Sequence, residues 1–242
     1  MTMKTMKTTY IRSIVAAILL MAAMGAWAQT ETGWRLGVKG GWAYNSLTID
    51  TQYAYDLRYK GASGWNAGIW GQYLFKEWIG VRADLEWLSR GHKLSRAQED
   101  VKSLRMNQRD GYLTLPITAT FRVGGGKWHG YANLGGFVGY WATSYAEGCE
   151  ISLSQPGTDE FLMADISGKR SLDSRRDNRF DAGLVGGIGM EYEFANGWIL
   201  GVEGRYYYSL TSRTKDYMQH FYNPVYNNTF TLGLTLSHRL PW

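Results

Sequence analysis

The feature of this chain that most constrains its fold is the sorting of charged residues between alternate positions. From Trp34 onward, seven of eight strand-like segments place every charge at one set of alternate positions and none at the other. Side chains of a β-strand point alternately to its two faces, so one face is predicted to be charged and the other uncharged. The uncharged face is large and rich in Trp and Tyr, which is typical of a barrel whose outer wall contacts lipid.

The third segment shows the alternation clearly, because Val81 and Leu85 share one parity while Arg82, Asp84 and Glu86 share the other. An Arg or Lys on the lipid-facing side of a barrel costs roughly 2 to 4 kcal/mol at the membrane midplane, which explains the sorting. The fifth segment, residues 129–145, lacks charges at both parities, and only Asn133 indicates which side faces inward. Pro116 in the fourth segment cannot donate to a ladder, so a local bulge is expected there.

The charges assigned to the inner face nearly cancel, with seven positive and six negative side chains. An eight-stranded barrel has an interior just wide enough for side chains to fill, and charges removed from water are costly unless paired. The sequence therefore predicts a closed lumen filled by a network of ion pairs. The assigned residues are Arg35, Lys39, Arg82, Arg90, Arg122, Arg205 and Arg239 with Asp84, Glu86, Asp181, Glu191, Glu193 and Glu203.

Connection lengths alternate along the chain. Long connections at 48–61, 93–108, 146–178 and 212–228 alternate with short ones at 76–78, 124–128 and 195–197. Short turns facing the periplasm and long loops facing outward are the pattern of outer-membrane barrels. We therefore expect an all-β, eight-stranded antiparallel up-and-down transmembrane barrel, in the cell outer membrane, with both termini in the periplasm.

The first 28 residues are typical of a secretory signal peptide. Lys4, Lys7 and Arg12 precede a short apolar run, and a small-x-small motif predicts cleavage between Ala28 and Gln29. The apolar run is too short for the alternative, a membrane-spanning anchor of about 20 residues. Residues 29–242 then form one barrel domain, and Trp242 resembles the aromatic assembly signal that the barrel-assembly machinery recognises.

Cleavage would remove three positive charges and no negative ones, so the net charge would fall from +5 to +2. Nucleic acid is therefore not an expected partner, whereas outer-membrane lipid is. Cys149 is the single cysteine and can form no internal disulfide. We expect no cofactor, no metal and no catalytic residue, because no metal-ligand spacing or nucleophile motif is present. Ser89 and His92, the best pair for a lipid-modifying enzyme, have opposite parity.

Several strands resemble the PorT-type porin-like outer-membrane barrels. The matching stretches are LGVKGGWAYNSL, GWNAGIWGQYLF, VRADLEWLSRGHK and above all YLTLPI, residues 112–117. The resemblance covers essentially the whole chain after residue 28, although Thr114 stands where those families often have an acidic residue. It implies an eight-stranded barrel of a Gram-negative outer membrane, and some members of these families serve in protein secretion.

Three functions remain open from the sequence. The first is a structural or partner-binding barrel with a plugged lumen, for which the aromatic loops 48–61 and 212–228 and the charged loop 146–178 would contact an extracellular or secretion partner. The second is a narrow diffusion channel. The third is a lipid-modifying enzyme, which fold analogy alone suggests.

Overall fold

The part of the chain that the structure describes consists almost entirely of β-strands. A computed structural model describes residues 32–49, 57–96, 105–154, 161–195, 197–218 and 223–240. The predicted cleavage site at Ala28 and Gln29 and the predicted assembly signal at Trp242 lie outside these residues. The strands are β1 (Gly33–Ile49), β2 (Leu57–Lys76), β3 (Ile79–Arg96), β4 (Arg105–Gly125), β5 (Trp128–Ser154), β6 (Phe161–Lys169), β7 (Phe180–Ala195), β8 (Trp198–Ser209) and β9 (Val225–Arg239).

Eight of these strands close into a ring. Each strand pairs antiparallel with its neighbour in the order β1-β2-β3-β4-β5-β7-β8-β9, and β9 pairs back with β1 over fifteen residue pairs. The predicted eight-stranded antiparallel barrel is confirmed. Within the described residues, no helix is long and apolar enough to cross a membrane.

The ninth strand, β6, was not predicted. It lies within the connection 146–178 and pairs with the distal part of β5, from Tyr145 opposite Lys169 to Ser154 opposite Phe161. The predicted long loop over 146–178 therefore contains regular structure, because β5 continues beyond the ring and pairs with β6 as a hairpin. The strands also run further into the other long connections than expected, since β1 ends at Ile49, β2 begins at Leu57 and β9 begins at Val225.

Short turns join the strands at one end of the barrel, which we call the short-turn end. Two residues separate β2 from β3, β4 from β5 and β7 from β8. Gly126, between β4 and β5, has a φ of 65°, in the left-handed region that glycine tolerates best. The opposite end carries the longer connections, the β5–β6 hairpin and a short 3₁₀ helix at Asp216–Met218, and we call it the long-loop end.

The two faces of the barrel wall follow the alternation predicted from the sequence. On β8, Trp198, Leu200 and Val202 are exposed while Ile199 and Glu203 are buried. Exposed aromatic side chains form a row near each end of the outer apolar wall. Along β1 these rows are marked by Trp34 and Tyr44, ten residues apart, which corresponds to roughly 25 Å along the axis for strands tilted by about 40°. This height matches the apolar band of an outer-membrane barrel.

The expected bulge at Pro116 is not present. The register between β3 and β4 is the same on both sides of Pro116, although the ladder has no pairs between Glu86–Thr114 and Ala83–Ile117. The lost donor therefore interrupts a ladder without shifting it. An irregularity lies instead in β5 at Ala142, where Gly111 pairs with Thr143 and Tyr112 with Trp141.

Candidate functional site

The centre of the lumen holds a cluster of six charged side chains, which we call the central cluster: Lys39 from β1, Arg82, Asp84 and Glu86 from β3, and Glu203 and Arg205 from β8. Asp84 lies 2.9 Å from Arg82 Nη2 and 3.1 Å from Arg205 Nη1. Lys39 Nζ lies 3.1 Å from Asp84 Oδ1 and 2.6 Å from Glu86 Oε2. Each carboxylate therefore faces at least one cation.

Glu203 also links the central cluster to β5, which lies two strands from β8 in the ring. Its carboxylate lies 2.9 Å from Arg82 Nη1 and 2.6 Å from Arg205 Nε. Tyr131 Oη and Asn133 Nδ2, both from β5, also donate to Glu203 Oε2 at 3.0 and 3.2 Å. The inward orientation of Asn133 agrees with the single indication available from the fifth segment of the sequence.

A second group of charges lies toward the short-turn end. Glu191 from β7 accepts from Arg35 Nη1 at 3.0 Å and from Arg122 Nε at 2.6 Å. At the rim, Arg239 pairs with Glu193 at 2.9 Å, and both side chains are partly exposed. A buried ion pair satisfies charges that would otherwise be costly in the interior, whereas a rim pair in contact with water contributes little.

An apolar cluster separates the central cluster from the charges at the long-loop end. It consists of Ala43, Leu88, Phe137, Val185 and Tyr207, all buried in the lumen. The Tyr207 hydroxyl donates to Glu86 of the central cluster. Above the apolar cluster, Arg90 pairs with Asp181, and its guanidinium lies 4.6 Å from the centre of the Tyr112 ring.

The long-loop end of the lumen is covered by a loop that follows β8. Arg213 in this loop reaches across to β4, where its Nη2 lies 2.6 Å from Asp110 Oδ2, and its guanidinium stacks 4.3 Å from the Trp141 ring. Burial alone would lower the pKa of Arg213. The neighbouring Asp110 carboxylate raises that pKa by more than burial lowers it, so the net shift is upward. Gln108 donates to Asp110 and accepts from Arg170 at 3.0 Å.

A second contact holds this loop to the connection before β7. Asp177 and Thr214 form an isolated bridge, and Asn178 Nδ2 donates to the Ser212 carbonyl at 2.9 Å. Burial would raise the pKa of Asp177, but hydrogen bonds from Arg176 and from the Asp173 backbone N–H lower it below its ordinary value. We call the covering segments 170–179 and 210–218 the lumen cap.

The lumen leaves little empty space. A cavity of about 10 Å³ lies between Arg35, Arg82, Arg122, Tyr131 and Glu191, and it has room for about one water molecule. The central cluster, the apolar cluster and the lumen cap lie one above another along the axis. In the described structure, side chains therefore fill the bore from the short-turn end to the long-loop end.

The structure brings all thirteen predicted inner-face charges into ion pairs, eleven of them with buried side chains and the pair Arg239–Glu193 at the rim. Asp110 and Arg213 also reach the lumen but are not among the predicted inner-face residues. Asp110 could have been found, because it shares the parity of Tyr112 and Thr114 two and four residues further on. Arg213 could not, because it belongs to a loop and reaches the lumen only through the fold of the lumen cap.

The residues considered for enzyme chemistry do not converge. His92 is buried on the inner side of β3, with Nδ1 3.5 Å from Arg213 Nη1, whereas Ser89 has the opposite parity and is half-buried. Among the described residues, no three His, Cys, Asp or Glu side chains are grouped in a way that could hold a metal ion. Cys149 is a free thiol on β5, opposite Arg105 of β4 and Asp165 of β6.

The chain matches one family model and is similar, at low identity, to several solved structures. The family model described as "Outer membrane protein beta-barrel domain" matches residues 27–215. OprG of Pseudomonas aeruginosa is 12% identical with a TM-score of 0.47, covering 88% of this chain and 100% of that chain. Ail of Yersinia pestis is 14% identical with a TM-score of 0.39, covering 85% and 99%. Neisserial surface protein A is 12% identical with a TM-score of 0.42, covering 88% and 99%.

No curated protein sequence matches the chain. The family match nevertheless includes more than half of the residues, and it spans seven strands of the ring, from β1 to β8. The charged interior and apolar exterior are the inside-out arrangement that a lipid environment requires. The chain therefore belongs to the outer membrane protein β-barrel family and is an integral protein of the outer membrane.

Proposed function

We propose that the protein is a structural or partner-binding barrel of the outer membrane with a plugged lumen, and that it does not conduct solutes freely. The observation that carries this proposal is the continuous filling of the bore, from Glu191 through the central cluster to Arg213. Opening a path would require separating buried charges from their partners, which costs several kcal/mol per ion. A narrow diffusion channel is the alternative that this arrangement disfavours.

Conductance across a planar lipid bilayer tests the plug directly. The purified barrel should insert without producing stable ohmic steps at any salt concentration. The control is the double variant Arg213→Ala/Arg170→Ala, which removes the two cations that join the lumen cap to β4. That variant should increase brief current fluctuations without producing a steady pore, because the central cluster stays intact. Stable ohmic channels from the wild-type protein would establish the diffusion channel instead.

The proposal includes an orientation in which the long-loop end faces the cell exterior and both termini face the periplasm. Cys149 provides a natural probe, because it is the single cysteine of the chain and lies near the long-loop end. A membrane-impermeant maleimide should label Cys149 on intact cells, and Cys149→Ser should abolish the labelling. If labelling requires disruption of the outer membrane, the long-loop end faces the periplasm and the proposed orientation is wrong. Mass spectrometry of the mature N-terminus tests cleavage between Ala28 and Gln29.

We further propose that the long-loop end binds a protein partner, as in the secretion-associated PorT-type barrels that the strand motifs resemble. Leu210 and Tyr217 are exposed within the lumen cap, and Tyr59 is exposed on β2. Large apolar side chains that remain outside both core and membrane are typical of protein contacts. Crosslinking through Cys149 in living cells should capture a discrete partner, and Tyr217→Ser should reduce its yield. If the secreted proteome and the crosslink pattern are unchanged in Tyr217→Ser, this partner site is wrong.

A further inference from the structure

A patch of positive charge lies on the outside of the barrel wall beyond the aromatic row of the long-loop end. It consists of Arg58 and Lys60 on β2, Lys93 on β3, and Arg105 and Arg109 on β4, and all five side chains are exposed. Their neighbours at alternate positions, such as His92, Gln108 and Asp110, are buried in the lumen. On β2, a register shift relative to β3 between Ala62 and Asn66 places Lys60 opposite the outward-facing Lys93. The five cations, which we call the outer cation patch, therefore project away from the lumen on the same side as the apolar wall.

The register places like charges beside one another in this patch. Lys60 lies directly opposite Lys93, and Arg105 is opposite Ser95 on the neighbouring strand. Like charges directly across an antiparallel ladder are destabilising, so this arrangement favours an anion that bridges them. Among the described residues, acidic positions on the same face are Glu147 and Asp165, on β5 and β6. None of the five cations forms an ion pair with another described residue.

The height of the patch above the apolar wall identifies the kind of anion. Lys93 is six residues beyond Trp87, or roughly 15 Å along the axis, and Arg109 is four residues beyond Leu113, or roughly 10 Å. The headgroup layer of a phospholipid bilayer is only about 5 to 7 Å thick on each side. The cations therefore lie above the phosphate level of an ordinary phospholipid, at the depth of a saccharide headgroup.

Small side chains occupy the wall from the level of the aromatic row, where Ser63 lies directly opposite Tyr44, up to the cations. Ser63 on β2, Ser89 on β3 and Thr143 on β5 point outward there. A strip of short hydroxyl side chains leaves space for sugar rings and offers them hydrogen-bond partners. Along the barrel axis, the outer wall thus presents apolar side chains, then small polar side chains and then cations. This order corresponds to the acyl chains, sugars and phosphates of a glycolipid.

From this order we propose that the outer cation patch binds the phosphate groups of a phosphorylated saccharide headgroup, carried by a glycolipid of the outer leaflet. The three arginines can each donate two parallel hydrogen bonds to a phosphate, while Lys60 and Lys93 act as point charges. This inference rests on the orientation given under the proposed function, in which the long-loop end faces outward.

Copurification with lipopolysaccharide tests the patch. The folded barrel is placed in phosphatidylcholine nanodiscs with a rough-type lipopolysaccharide that is phosphorylated on lipid A and inner core, and native mass spectrometry counts the molecules retained. Wild type should retain the phosphorylated glycolipid and release the same glycolipid after chemical dephosphorylation. Lys60→Gln/Lys93→Gln should reduce retention about tenfold, in line with the loss of two exposed charge contacts. Lys76→Gln/Lys127→Gln, which removes two exposed cations at the short-turn end, is the matched control and should retain as much as wild type.

The outcomes separate this inference from the proposed function. Equal retention by Lys60→Gln/Lys93→Gln and wild type, equal binding of the dephosphorylated glycolipid, or an equal loss in the short-turn control would each overturn the patch. Displacement of the glycolipid by an excess of inorganic phosphate alone would assign the patch to free anions and also overturn it. A wild-type barrel that conducts but still retains the phosphorylated glycolipid would overturn the plugged lumen and leave the patch supported. Heat-modifiable gel mobility shows that each variant is folded.

Discussion

Arg205 and Asp84 meet across the full width of the barrel, with Arg205 Nη1 3.1 Å from Asp84 Oδ2. Their strands, β8 and β3, lie opposite each other in the ring of eight, separated by three strands on either side. No ladder hydrogen bond connects them, so the contact exists only because side chains from both walls fill the interior. A pair of this kind stiffens the cross-section of the barrel as well as closing its bore.

Removal of a buried partner should destabilise the barrel far more than removal of a rim partner. Glu203→Ala would leave Arg82 and Arg205 short of a carboxylate, and breaking a buried pair in this way costs about 3 to 5 kcal/mol. Glu193→Ala removes a partly exposed pair with Arg239 and should cost about 1 kcal/mol or less. Urea unfolding in lipid vesicles, followed by heat-modifiable mobility, measures both. Similar losses for the two variants would contradict a dry central cluster.

Height along the outer wall should determine the cost of a new charge. Leu234 is exposed near the middle of the apolar band, and Leu234→Arg should reduce the free energy of unfolding by about 2 to 4 kcal/mol. Ser63 is also exposed on the outer wall but lies at the level of the aromatic row, directly opposite Tyr44, so Ser63→Arg should cost about 1 kcal/mol or less. Folding yield into vesicles gives the comparison. Equal yields would mean that the apolar band does not coincide with the hydrocarbon layer.

The lumen cap should loosen when Arg213 is removed. Arg213→Ala eliminates the ion pair with Asp110 and the stacking on Trp141, and losing a hydrogen bond to a charged group costs about 1.5 to 3 kcal/mol. Trypsin should then cleave after Lys215 roughly tenfold faster or more, as mass spectrometry of the fragments would show. Arg179→Ala, which removes only an exposed contact to Tyr140, serves as the control and should leave that cleavage rate unchanged.

Acid should release one anchor of the lumen cap only at low pH. The pKa of Asp177 is lowered in the folded protein, so its ionised form is favoured by folding. The stabilisation is present above the ordinary carboxyl value of 3.8 and is lost as the pH falls through the lower folded pKa. Hydrogen exchange at the Asp173 and Asp177 amides should therefore stay protected above the ordinary carboxyl value of 3.8 and lose protection only at a pH below it, after correction for intrinsic rates. Asp177→Asn should lack this pH dependence.

The alternation of side chains along the strands was sufficient to predict most of the fold and most residues of the central cluster. Because the membrane penalises outward charge, the parity of Arg82, Glu203 and their neighbours identified the inner face before any pairing was known. Which carboxylate each cation contacts was not predictable, since partners such as Arg205 and Asp84 depend on strand tilt and stagger across the barrel.

The features that sequence reasoning missed do not leave an alternation signal. Arg213 enters the lumen from a loop, where no period-two pattern applies, and β6 is a hairpin outside the ring whose faces the membrane does not sort. At Pro116 the sequence predicted a feature that is not present. A bulge was expected there because proline has no backbone N–H to donate to the ladder. The surrounding ladders maintain the register even where pairs are missing beside Pro116.

The seam between β1 and β9 has a consequence for how long the protein survives once assembled. Fifteen residue pairs join the two ends of the ring, and Gly41 lies so close to β9 that a Cβ there would come within 2.3 Å of the Leu232 carbonyl oxygen. In a closed ring no barrel strand can peel away while both its neighbours hold it, so unfolding must start with rupture of an entire ladder. Escape from the membrane should therefore be limited by a high activation barrier, and the lifetime of the folded barrel should be kinetic in origin. A side chain at position 41 would hold β1 and β9 apart, and it should therefore lower the barrier to unfolding and shorten the lifetime of the folded barrel.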